Sequence, residues 1–100
     1  MLLYNVTVKI NRDTEKEWLA WMKQKHIPAV MNTGQFTDSH ICKLLDQPEE
    51  DDGTYVIQYR CESREKFDHY IKTFAADLSN QHNARYKDKF VAFRTLMEMV

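Results

Sequence analysis

The chain has 100 residues, of which 43% are hydrophobic and 29% are charged. This length supports one hydrophobic core and predicts a single domain over residues 1–100, and the composition excludes a disordered chain. Fourteen basic and fifteen acidic side chains give a formal net charge of −1. Such a balance leaves no overall field to attract nucleic acid or an anionic membrane surface, so we expect neither as a partner.

The apolar segments are too short to form a transmembrane helix. Met1 leads directly into a strand-like pattern without a basic region or a cleavage site, so we expect no signal peptide. Cys42 and Cys61 are too few for a disulfide framework and fit a reducing compartment. The sequence therefore predicts a cytoplasmic protein.

The first half of the chain predicts a strand followed by a helix. Apolar residues alternate with polar ones over residues 3–10, which is typical of a strand. Thr14 and Glu17 have the spacing of a capping box and predict that a helix begins there. We expect this helix to run to about His26, where Pro28 disfavours its continuation.

The second half predicts three more strands and one more helix. The strand patterns cover residues 36–45, 54–62 and 90–100. Ser63 is a suitable N-cap for the second helix. The polar segment 80–89 predicts a loop.

The resulting order is β-α-β-β-α-β. Two right-handed crossovers joined by a hairpin give an antiparallel sheet in spatial order 4-1-3-2 with both helices on one face. The sequence therefore predicts a ferredoxin-like α+β sandwich.

The other face of the sheet is expected to be open and mixed in polarity. On it we place Asn5, Thr7, Gln58 and Arg94. Strand 36–45 is mixed on both sides, so its orientation stays open. The last strand is apolar on both sides and lies at an edge, which invites association. We therefore expect a homodimer that packs sheet face against sheet face and leaves a cavity where polar residues meet.

Several segments resemble a bacterial family of about 100 residues whose function is unassigned. They are Tyr4-Asn5-Val6-Thr7-Val8, Glu17-Trp18-Leu19-Ala20-Trp21-Met22, His26-Ile27-Pro28-Ala29-Val30-Met31, Thr33-Gly34-Gln35-Phe36, Gln58-Tyr59 and Phe93-Arg94-Thr95. That family is similar to a branch of the dimeric α+β barrel superfamily, which includes antibiotic-biosynthesis-type monooxygenases, muconolactone isomerases and stress-responsive barrel proteins. The resemblance implies a ferredoxin-like chain that pairs into a dimeric α+β barrel, and it assigns no catalytic residue.

The candidate ligand-binding residues are Asn5, Thr7, His26, Gln58 and Arg94. Arg94 could clamp a carboxylate or phenolate while the amides orient a carbonyl, or the set could form a hydrogen-bonded network in a dimer interface. His26 could accept a proton or anchor a substrate, since imidazole titrates near neutral pH. Alternatively, it could bind the last free carbonyls of its helix.

Metal and cofactor sites are not expected. The histidines and cysteines lack the spacing of a metal site, and the acidic segment 49–52 lacks the alternation of a calcium loop and predicts a solvated hairpin tip. His26 and His82 are expected at opposite ends of the sandwich, because the two helices run antiparallel.

Three kinds of function remain open. The sequence favours a protein that binds a small anionic or aromatic molecule on the open sheet face, because hydrogen-bonding side chains on a half-apolar face are costly to bury without use. The first alternative is a cofactor-independent monooxygenase-like or isomerase-like enzyme. The second alternative is a non-catalytic protein-interaction dimer.

Overall fold

The computed structural model describes residues 1–48 and 51–100. Its strands and helical segments, in chain order, are β1 (Leu2–Ile10), α1 (Glu15–Trp21), a π-helical segment (Met22–His26), α2 (Ile27–Met31), β2 (Asp38–Lys43), β3 (Gly53–Cys61), α3 (Arg64–Tyr70), a second π-helical segment (Ile71–Ala75), α4 (Ala76–Arg85) and β4 (Phe90–Glu98). The predicted acidic hairpin tip includes Glu49 and Glu50, which lie outside the described residues.

The four strands form one antiparallel sheet in the order β2-β3-β1-β4. This is the predicted order read from the opposite edge, so the ferredoxin-like prediction is confirmed. One face of the sheet carries the helices and supplies the core, where Ile10 and Ile57 are fully buried together with Trp18 of α1. No helix in the described part of the chain is long and apolar enough to cross a membrane.

The first helix does not break at His26 as predicted. It continues through Pro28 to Met31 because the turn before the proline is π-helical, and the N–H of Ile27 bonds to the carbonyl of Met22, five residues back. Pro28 then lies in the first turn of α2, where its missing N–H costs little. Consequently, His26 lies inside one continuous helix over residues 15–31.

The predicted loop over residues 80–89 is also wrong, because α4 continues to Arg85. The segment is polar on its exposed side, yet His82 and Tyr86 are buried and anchor it to the core. Leu78 and His82 continue the helical spacing of the apolar residues before them, which are Phe67, Tyr70, Ile71, Phe74 and Ala75. The extension therefore has a sequence signal that the overall polarity conceals.

The two helix starts agree with the sequence, although one cap differs. Ser63 is an N-cap whose hydroxyl accepts the N–H of Lys66 at 3.2 Å. Thr14 occupies the N-cap position of α1 without capping it through its side chain. Glu17, the other half of the expected capping box, accepts a hydrogen bond from Arg85 at 2.6 Å instead and so joins the two helices.

Gly53 leaves space at the start of β3 for the side chain of Glu15. A Cβ at this position would lie 2.6 Å from the carboxyl carbon of Glu15. That carboxylate accepts the hydroxyl of Tyr55 at 2.6 Å and pairs with Lys43 at 3.0 Å. The β2–β3 hairpin is thereby fastened to the first turn of α1.

The two faces of β4 are the reverse of the prediction. Arg94 lies opposite Val6, on the helix-bearing face, whereas Phe93 lies opposite Thr7 on the open face. Val91 also faces outward and is 70% exposed. Because β4 is apolar on both sides, its alternation does not decide its orientation, and the register with β1 does.

Candidate functional site

A cavity of about 40 Å³ lies between the helix-bearing face of the sheet and the two helices. Its walls are mainly aromatic and aliphatic, with Tyr4, Tyr59 and Tyr70 among them. Its other polar lining residues are His26, Ser79, His82 and Arg94. Since a water molecule needs about 10–15 Å³ on this measure, the cavity has room for about three waters.

Different elements bring the polar residues together. Arg94 comes from the edge strand β4, His26 from the first π-helical segment, and Ser79 and His82 from α4. The π-helical turn places His26 beside the cavity while the helix continues past Pro28. Such turns occur frequently at functional sites.

Arg94 is the cation of the cavity. The residue is exposed, and its Nη2 donates to the Ser79 hydroxyl at 3.4 Å, a contact that joins β4 to α4. Within residues 1–48 and 51–100, no carboxylate oxygen lies within 4.0 Å of the guanidinium. The described lining of the cavity also includes no Asp or Glu. The charge of Arg94 is therefore available to an anion.

His82 is held as a neutral imidazole. The indole N–H of Trp18 donates to His82 Nε2 at 2.9 Å, which assigns the ring proton to Nδ1. That nitrogen faces the amide oxygen of Asn83 at 3.4 Å. Burial lowers the pKa of His82, although the hydrogen bond to Asn83 opposes the shift. His82 thus adds no positive charge to the cavity at neutral pH.

His26 carries a buried nitrogen, Nδ1, for which the structure gives no hydrogen-bond partner among the described residues. Its ring stacks on Trp21 with centroids 5.2 Å apart and lies 5.7 Å from the ring of His82. Burial, together with the neighbouring His82 and Arg94, lowers the pKa of His26 to about 4. His26 is therefore neutral at pH 7, and its Nδ1 is free to form a hydrogen bond with a bound molecule.

The prediction that His26 and His82 lie apart is wrong. It assumed that the first helix ends at His26 and that residues 80–89 form a loop. In the structure both helices are longer, and the antiparallel helices place the interior of one beside the last turns of the other.

The three tyrosines of the cavity supply neutral hydroxyl groups. Burial raises the pKa of Tyr4, and the positive charge of Arg94 opposes the shift. Burial likewise raises the pKa of Tyr70 to about 12 and that of Tyr59 further still. The cavity is consequently a mostly aromatic space with one cation, two neutral imidazoles and uncharged phenols.

The five predicted site residues do not share one site. His26 and Arg94 line the cavity, whereas Asn5, Thr7 and Gln58 lie on the open face of the sheet. The predicted grouping of Arg94 with the other three is therefore wrong, and its physical reason is the register of β4.

The open face has polar contacts of its own. Gln58 lies opposite Asn5, and its amide oxygen is 2.7 Å from Nε2 of His40. The pairing of β2 with β3 places Asp38, His40 and Cys42 on this face, which decides the orientation that the sequence leaves open. The amide oxygen of Asn5 is buried, and no described residue donates to it.

Ser79, His82 and the three tyrosines were not predicted as cavity residues. His82 has a signal in its spacing from Leu78, whereas Ser79 has none, because a serine on a helix is usually solvated. No group of three or more His, Cys, Asp or Glu side chains in the described ranges is arranged to hold a metal ion.

Solved structures with this fold are similar over the whole chain. An ethyl tert-butyl ether d (ethd) family protein from Bacillus halodurans has a TM-score of 0.69 at 12% identity, covering 99% of this chain and 100% of its own. An antibiotic biosynthesis monooxygenase has a TM-score of 0.66 at 16% identity, covering 100% and 99%. A dimeric ferredoxin-like protein from an uncultured marine organism has a TM-score of 0.68 at 13% identity, covering 100% and 95%. At these identities the similarity shows the fold alone.

The sequence comparison is more specific. The model of a family described as a domain of unknown function (DUF4286) matches residues 1–100. No curated protein matches the sequence.

Proposed function

Because the chain belongs to the family described as a domain of unknown function (DUF4286), we propose its function from its own geometry: it binds a small anionic or aromatic molecule in the cavity between sheet and helices. The observation that carries the proposal is the position of Arg94, which lies at an aromatic-lined cavity without a carboxylate partner among the described residues.

The chemistry of the cavity favours an anion. A guanidinium binds a carboxylate or phenolate through charge-assisted hydrogen bonds, which are stronger than bonds between neutral groups. The distance from Arg94 Nη2 to the Ser79 hydroxyl, 3.4 Å, is at the long end of hydrogen-bond distances. An anion therefore offers Arg94 a better partner than the protein does.

Entry of a ligand requires the cavity to widen. A single-ring acid is larger than the three waters that about 40 Å³ can hold. The Arg94–Ser79 contact links β4 to α4, and β4 is the edge strand that pairs with β1. An anion that takes over Arg94 releases Ser79, and the cavity opens on this side.

The functional form is a homodimer joined through the open sheet face. Phe93 is 64% exposed and Val91 is 70% exposed on that face, beside a buried Asn5 amide oxygen that the described residues leave unpartnered. Exposed apolar side chains beside a polar atom that lacks a hydrogen-bond partner favour association with a second chain. One structural neighbour is itself called a dimeric ferredoxin-like protein. The dimer covers the open face, and the cavity on the helix-bearing side of the sheet stays outside the interface.

A second candidate is a cofactor-independent enzyme that uses the same cavity. It is favoured by His26, a neutral imidazole on the cavity wall whose buried Nδ1 has no partner among the described residues. An antibiotic biosynthesis monooxygenase is among the structural neighbours. Exchange of a carbon-bound hydrogen of the bound molecule with deuterated water, lost in His26→Phe, would distinguish catalysis from binding.

The test of binding is a thermal-shift screen of small aromatic acids on the wild type and on Arg94→Met. A ligand at 100 times its Kd stabilises the folded state by about 2.7 kcal/mol, which raises Tm by roughly 13 °C in a domain of this size. The wild type should respond to at least one acid, and Arg94→Met should not respond.

Arg64→Met is the matched control, because Arg64 is exposed on α3 and pairs with Asp68 there. This variant should respond like the wild type. Circular dichroism must show that Arg94→Met is folded, and Arg94→Gln serves as a second variant if it is not. A full response in a folded Arg94 variant, or no response of the wild type to any acid, would contradict the proposal and favour a non-catalytic interaction dimer.

A further inference from the structure

The polar groups of the cavity define the ligand more closely, an inference that rests on the proposed function. We propose that the ligand is a flat acid with a single negative charge and a hydroxyl group. Its anionic group binds Arg94, and its hydroxyl group forms a hydrogen bond with Nδ1 of His26.

The single charge follows from the two histidines. Arg94 is the one cation among the described lining residues once both imidazoles are neutral. The Trp18 N–H occupies Nε2 of His82, and protonation of that nitrogen would set two N–H groups against each other. Trp18 thereby keeps a second positive charge out of the cavity. A monoanion matches this cavity, whereas a dianion would leave one charge unpaired.

The hydroxyl group follows from His26. Its Nδ1 is buried without a partner in the described structure, and an unpaired buried polar atom is unfavourable. A hydroxyl both donates and accepts, so it satisfies Nδ1 whichever nitrogen of the ring carries the proton. A carboxylate or a ketone would suit only one of the two tautomers.

The flat shape follows from the walls. Tyr4, Tyr59, Tyr70 and Phe90 present aromatic rings to the cavity, and aromatic rings pack favourably with one another at offset or edge-on angles. The phenols are uncharged, because burial holds their pKa values high. They accordingly add no negative charge that would repel an acid.

The experiment compares acids with and without a hydroxyl group. Benzoate, 3-hydroxybenzoate and 4-hydroxybenzoate are titrated calorimetrically into the wild type and into His26→Phe. The variant keeps a ring against Trp21 but removes both nitrogens. The better hydroxybenzoate should bind the wild type at least tenfold more tightly than benzoate, which corresponds to one hydrogen bond.

In His26→Phe the ratio of the affinities for the better hydroxybenzoate and for benzoate should fall to within twofold. His69→Phe is the matched control, because His69 is exposed on α3, and it should keep the tenfold preference. Equal binding of all three acids, or a preference that persists in His26→Phe, would overturn the inference and leave the proposed function standing. Binding of none of the acids by the wild type would instead count against the proposed function.

A measurement without substitution covers the case in which His26→Phe does not fold. In protein labelled with ¹⁵N at histidine, the hydroxybenzoate should shift the Nδ1 resonance of His26 further than benzoate does. Equal shifts with both acids would overturn the inference.

Discussion

At the scale of single residues, the cavity depends on imidazoles that burial keeps neutral. His82 is 7% exposed and accepts a hydrogen bond from Trp18, and Nδ1 of His26 is buried without a partner among the described residues. Protonation of either ring would place a second positive charge near Arg94 in a space of low dielectric. The folded protein therefore resists protonation of both rings, whereas the unfolded chain does not.

This difference predicts that stability falls in mild acid. The pKa of His26 is about 4 in the folded state and 6.5 in its usual environment. Between these values the unfolded chain binds more protons, so the free energy of unfolding decreases as pH falls from 6.5 to 4. At about 1.4 kcal/mol per pKa unit, the loss from His26 is at most roughly 3 kcal/mol.

Urea unfolding of the wild type, His26→Phe and His69→Phe at several pH values between 7 and 4 tests the prediction. Carboxylates titrate near the lower end of this range in all three proteins, so the difference between variants isolates His26. His26→Phe should lose stability less steeply than the wild type, and His69→Phe should not differ from it. Parallel curves for all three would show that His26 is not buried as a neutral ring.

At the scale of strands and helices, the sequence predicted the elements better than their ends and faces. Thr14 and Ser63 identified where the two helices begin, because helix-start signals are local. The π-helical turn before Pro28 has no local pattern that predicts it. The extension of α4 has one, the spacing of Leu78 and His82, but the polarity of the surrounding segment conceals it.

The orientation of the strands could also be predicted only in part from the sequence. Asn5 and Gln58 were placed on the correct face because strands β1 and β3 alternate between polar and apolar residues. β4 is apolar on both sides, and a shift of one residue exchanges its faces. Arg94 was therefore recognised as a candidate binding residue but assigned to the wrong side of the sheet.

The orientation of β4 predicts which substitution breaks the proposed dimer. Phe93→Glu places a charge at an exposed apolar position of the open face and should convert the dimer into a monomer, while the helix-bearing core is untouched. Light scattering should then change from twice the 12.0 kDa protomer mass to the protomer mass.

Ile71→Glu is the matched control, because Ile71 is an exposed apolar residue of the second helix, and this variant should remain dimeric. A monomeric wild type at micromolar concentration would contradict the proposed dimer. So would a Phe93→Glu variant that remains dimeric.

At the scale of the whole molecule, the sheet separates two surfaces with different roles. The order of the elements was sufficient to predict this sheet, since few arrangements connect β-α-β-β-α-β in so short a chain. The cavity with His26 and Arg94 lies on the helix-bearing side of the sheet. The other side is the open face, which carries Asn5, Thr7 and Gln58. Under the proposed function, the helix-bearing side binds the ligand and the open face binds the second protomer.

The most direct test of this division locates a bound acid by methyl NMR. The acid that stabilises the wild type most is titrated into protein labelled at its methyl groups. Val30, Leu78 and Ala92, which line the cavity, should show saturable shifts, and Val56 and Val91 on the open face should not. Saturable shifts confined to Val56 and Val91 would contradict the account, because they would place the ligand on the face that it reserves for the second protomer.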